Sequence, residues 1–126
     1  MFDNLFIISS IVFLAIDFIY LTLTKTHFSK QVRLIQGVPM QLNYFGAIIC
    51  YMFLIFGLNY FIIKPQRSIF DAFLFGLIIY GTFDFTNMAL FKKWSLVTSI
   101  MDTLWGGTLF ALSTFIIYKS KEFIQK

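Results

Sequence analysis

Four long apolar runs, separated by short polar stretches, dominate the chain: residues 5–24, 42–63, 69–91 and 95–118. Each holds 20 to 24 residues. At about 1.5 Å of rise per residue, a helix of that length covers about 30–36 Å, enough to cross the ~30 Å hydrocarbon core of a bilayer. Stretches such as Leu54-Ile55-Phe56 and Leu77-Ile78-Ile79 lack the alternation that a barrel strand needs. Backbone groups in lipid must be bonded within their own segment, so runs of this kind form helices. The pattern predicts an all-α membrane protein, with four transmembrane helices in a compact bundle and residues 1–126 forming a single integral membrane domain.

The connections are unequal. Residues 25–41 form the longest one. Within it Phe28, Val32 and Ile35 share one helical face, and Lys30, Arg33 and Gln36 another. Two readings fit: a short interfacial helix ended by Gly37 and Pro39, or a first span that simply continues for two more turns. Pro65 stops the second span, and residues 92–94 leave room only for a tight hairpin. Trp94 stands where an interfacial aromatic anchor belongs. The N-terminus carries Asp3 and no Lys or Arg before residue 25, so the first span is expected to stay rather than be cleaved as a signal peptide.

Composition agrees with the pattern. Hydrophobic residues make up 59% of the chain and charged ones 13%, against roughly 25% charged in an average soluble domain. A soluble enzyme of this length has too little interior to hide so much apolar surface. Cys50 is the only cysteine and His27 the only histidine, which excludes an internal disulfide and a multi-histidine metal site within one chain. Cys50 is expected to pack as a small residue and His27 to lie exposed past the first span. The net charge of +4 does not point to nucleic acid, because all ten Lys and Arg lie between or after the apolar runs. The expected surroundings are the lipid bilayer, with a homodimer or a membrane-protein partner left open. Orientation stays open too. Lys64, Arg67, Lys119, Lys121 and Lys126 fall on the side of the N-terminus, and Lys25, Lys30, Arg33, Lys92 and Lys93 on the other, a tie for the positive-inside rule.

The informative residues are acids within the spans: Asp17, Asp84 and Asp102. A carboxylate in a span is costly and usually faces a bundle interior or a watery cavity. By helical rise, Asp17, Asp84 and Asp102 lie about 4, 6 and 7 Å from the middle of their spans, all toward the same side. Polar neighbours share their faces: Ser10, Tyr20 and Thr24 with Asp17, Tyr80 and Asn87 with Asp84, and Thr98, Trp105 and Ser113 with Asp102. These placements predict an intramembrane polar cluster between spans one, three and four. No Lys or Arg lies within a span to neutralise the acids, and like charges in low dielectric disfavour each other's ionised form. The cluster must then hold protons, hold a cation, or draw on Lys and His from the adjoining surface.

The run Tyr80-Gly81-Thr82-Phe83-Asp84-Phe85-Thr86-Asn87, followed by Trp94, Asp102, Trp105 and Gly106, resembles the signature of a family of small, mainly bacterial predicted membrane proteins classed as a domain of unknown function. The resemblance covers nearly the whole chain, departing at Phe83, where the family pattern carries Tyr as often. It implies four spans and points to Asp17, Asp84, Thr86, Asn87, Asp102 and Trp105 as functional candidates. It brings no reaction.

The sequence-based candidate cluster is therefore Asp17, Tyr20, Tyr80, Asp84, Thr86, Asn87, Asp102 and Trp105. Its expected role is to bind or translocate a proton, a cation or a small polar or cationic solute. Two alternatives remain: a structural or assembly subunit of a membrane complex, and a membrane enzyme acting on a lipid-like substrate. No nucleotide-binding glycine loop, Ser–His pair or metal-ligand spacing is present. The balance therefore leans away from an enzyme, no residue is assigned a catalytic role, and no cofactor is expected.

Overall fold

The structure is a computed structural model that describes residues 4–124. Asp3 and Lys126, which entered the reading of the termini and the charge tie, lie outside the described residues. Four helices follow in order: α1 (Asn4–Gln36), α2 (Tyr44–Leu58), which runs on into a π-helical turn (Asn59–Ile63), α3 (Ile69–Leu90) and α4 (Leu96–Ile124). All four are long and apolar enough to cross a membrane. The described residues include no strand.

Helix ends fall where local chemistry places them. The Asn43 side chain caps α2 by accepting from the Gly46 N–H at 3.0 Å, and Ser68 caps α3 by accepting from the Asp71 N–H at 3.0 Å. Asp71 then sits in the first turn of α3, where a negative charge meets the positive end of the helix dipole.

Residues 25–36 are not a separate loop or interfacial helix. They continue α1 without a break. The physical reason is the absence of any Gly or Pro between residues 4 and 36. The first residue able to end the helix is Gly37, which takes φ 77° and donates its N–H to the Arg33 carbonyl at 2.9 Å. The extension carries on the buried stripe of α1, which runs through Ser9, Phe13 and Asp17 and resumes at Gln31.

Helix α4 is the axis of the bundle. It packs most closely against α3 and next against α1, while α2 lies beside α1. At the α3–α4 crossing the two main chains nearly touch, and a Cβ on Gly76 would collide with the carbonyl oxygen of Gly106. The Tyr80 side chain packs directly on Gly106, and the Phe73 ring covers Gly107.

Burial is inverted relative to a soluble protein. Ser9, Asp84, Thr98, Ser99, Ser113 and Thr114 are fully buried, whereas Phe18, Leu23, Phe45, Phe53 and Val97 point outward. Trp94 departs from its expected place as an interfacial anchor. It is buried under the α3–α4 turn, with its ring edge-on to Phe83.

Candidate functional site

The three intramembrane acids are all buried on the inner faces of the bundle. Two of them are positioned by donors from neighbouring helices. Trp105 of α4 donates its indole N–H to Asp17 Oδ1 at 2.9 Å, and Tyr51 of α2 donates its hydroxyl to Asp17 Oδ2. Tyr20 of α1 donates its hydroxyl to Asp102 Oδ1 at 3.0 Å. The Tyr20 and Trp105 rings stack with centroids 4.5 Å apart and planes 3° from parallel. The two donors are thus held as one unit, each serving a carboxyl on the other's helix.

Asp84 differs. It is fully buried, and neither of its carboxyl oxygens has an N–H or O–H donor in reach. Its main-chain carbonyl accepts from Ser99 Oγ of α4 at 3.4 Å, one turn before Asp102, which places the two carboxyl groups in electrostatic range of each other across the α3–α4 packing. Buried polar atoms in folded proteins are nearly always partnered, so one left bare calls for an explanation. Two carboxyl groups form a hydrogen bond only when a proton lies between them.

The other candidates separate. Tyr80 packs on the α4 backbone beside the acids. Asn87 is half-buried one turn beyond Asp84, and its backbone carbonyl accepts the N–H of Phe91. Thr86 is exposed and does not join the cluster. The inward face of α3 is set by Gly76, Tyr80 and Asp84 at four-residue spacing, and two further residues turn Thr86 about 200° away from Asp84.

Tyr51 belongs to the cluster and is missing from the sequence-based set. Span two carries no charge, so spacing alone gives no reason to aim that hydroxyl at Asp17. Also unforeseen is a pair one level away. Asn59, at the start of the π-helical turn, donates from Nδ2 to Ser9 Oγ at 2.8 Å and to the Ile55 carbonyl at 2.8 Å.

A second polar network closes the bundle where α1 outruns the others. Gln31 donates to the Lys93 carbonyl at 2.6 Å and accepts from the Ser95 N–H at 3.2 Å and the Thr98 hydroxyl at 2.9 Å. With its one proton given to Gln31, Thr98 can only accept from Ser95 Oγ at 2.6 Å and from His27 Nε2 at 2.7 Å. That accounting makes Nε2 the protonated nitrogen of His27. His27 is exposed, as expected, and tied to α4 as well.

Among the described residues, no group of three or more His, Cys, Asp or Glu is arranged to hold a metal ion. Four membrane-crossing helices, apolar surfaces outside and acids inside define a multi-pass helical integral membrane protein. The chain belongs to the family described as "Predicted membrane protein (DUF2177)", whose model matches residues 3–119, a family of unknown function. No curated protein and no solved structure matches the chain.

Proposed function

We propose that the Asp84–Asp102 pair is a proton-binding site within the membrane, and that the protein serves proton movement or proton-coupled binding through it. The observation that carries this reading is the bare, fully buried carboxyl of Asp84 on a helix tied through Ser99 to the turn of α4 just before Asp102. Charge repulsion and lost hydration both oppose two ionised carboxylates at such a place, and a shared proton removes both costs. Within the pair the roles differ. Asp102 accepts from Tyr20 and is suited to remain the acceptor. Asp84 has no donor and is suited to carry the proton and donate it to Asp102. Asp17 is served on both oxygens and acts as the positioning member, fixing Trp105 and, through the ring stack, Tyr20.

A metal ion is a poorer fit than a proton, because the three acids do not converge as a ligand set. The test is proton flux into liposomes containing the purified chain, read with an enclosed pH-sensitive dye under an imposed gradient. The wild type is expected to exceed protein-free liposomes, and Asp84→Asn to fall to their rate. Equal flux from wild type and Asp84→Asn would remove the proposal.

A further inference from the structure

The positive-inside tie conceals an asymmetry that the fold exposes. At the end of the bundle holding the α2–α3 turn and the tail of α4, two of the four described cations have acids beside them. Arg67 lies 4.0 Å from Asp71, and Lys119 lies 3.8 Å from Glu122. At the opposite end Lys25, Lys30, Arg33, Lys92 and Lys93 are all exposed. None of the five makes an ion pair among the described residues, and neither residues 25–41 nor the α3–α4 turn contains an acid.

These five come from two segments distant in sequence, and the α1 extension brings them to one surface. Gln31, which lies between Lys30 and Arg33, bonds the carbonyl of Lys93 and the N–H of Ser95. The extension is thereby fastened across the α3–α4 turn, and the cations of both segments are held at the same end of the bundle.

We propose that this end is a docking surface for anionic phospholipid headgroups of the leaflet around it. Five exposed cations without a counter-charge repel one another, and they lie at and beyond the ends of the spans, where a leaflet's headgroups begin. An anionic headgroup supplies the missing charge from the membrane plane itself, and each cation near such a surface adds to the attraction. An interaction between exposed charges must weaken as salt rises. This inference does not depend on the proton site.

The test uses the full chain purified in a neutral detergent, with phosphatidylglycerol or phosphatidylcholine added at low and high salt. Bound lipid is counted by native mass spectrometry. Phosphatidylglycerol is expected to bind more tightly, with the preference shrinking at high salt. A variant carrying Lys30→Gln, Arg33→Gln, Lys92→Gln and Lys93→Gln is expected to lose affinity for it by roughly fivefold per cation removed, with phosphatidylcholine binding unchanged as the check on folding. Lys119→Gln with Lys121→Gln, at the other end, is expected to keep the preference. Equal binding of the two lipids by the wild type would overturn the proposal. So would an equal loss from the opposite-end variant, which would show an effect of net charge rather than of this surface.

Discussion

Gly76→Ala is expected to destabilise the protein strongly, as is Gly106→Ala, far more than a methyl added at Gly46 or Gly81. At Gly76 the new Cβ would collide with the carbonyl oxygen of Gly106 and press on the Phe110 ring. A main-chain oxygen cannot swing aside as a side chain can, so α3 and α4 must separate. Overpacking of this kind costs about 1–3 kcal/mol, or more where backbone shifts. Alanine's better helix propensity returns at most about 1 kcal/mol of it.

Two other glycines provide the scale. At Gly81 the nearest atom to an added Cβ is Thr103 Cγ2 at 3.3 Å, a side-chain methyl that can yield, so Gly81→Ala is expected to cost under about 1 kcal/mol. At Gly46 nothing lies closer than Asn43 Oδ1 at 3.8 Å, and Gly46→Ala should cost nothing. Unfolding in detergent for the three variants checks the order. Similar losses at Gly46 and Gly76 would mean that α3 and α4 do not cross in backbone contact. Because Asp84 and Asp102 lie on that same packed pair of helices, Gly76→Ala should also reduce proton flux.

Asp84→Leu is expected to abolish flux at a smaller cost in stability than Asp17→Leu, because Asp102 keeps Tyr20 as a donor. Leucine has the same branched heavy-atom skeleton as aspartate. No donor loses its partner, since none reaches Asp84. Asp17→Leu should cost more. It strips Trp105 and Tyr51 of their acceptor. Each buried donor left bare costs about 1–3 kcal/mol. The contrast separates a proton site from a set of acids that merely fasten helices. In the latter case Asp84→Leu would lose stability as Asp17→Leu does, and flux would never have depended on either.

Much of this architecture was legible in the residues. Four apolar runs gave four helices, and the common depth of the acids follows from helical rise because every span is continuous. Helix ends were less legible. Past residue 24 the polarity of the chain suggests leaving the membrane, yet polarity does not end a helix, and α1 runs on to the first glycine. Thr86 entered through a family signature, and a signature does not say which side of a helix a residue occupies. Tyr51 was left out of the cluster because a lone hydroxyl on an uncharged span shows its partner only once α1 and α2 are side by side. The difference between Asp17 and Asp84 was likewise hidden. Both are acids at similar depth, and only the donors around Asp17, drawn from α2 and α4, distinguish a satisfied carboxyl from a bare one.

The central claim is that a proton resides between Asp84 and Asp102 inside the membrane, and infrared spectroscopy of the reconstituted protein at neutral pH reads it most directly. The wild type is expected to show a carboxylic-acid C=O band that shifts on exchange into heavy water and disappears in Asp84→Asn. A wild-type spectrum with no such band, or one that Asp84→Asn leaves unchanged, would contradict it.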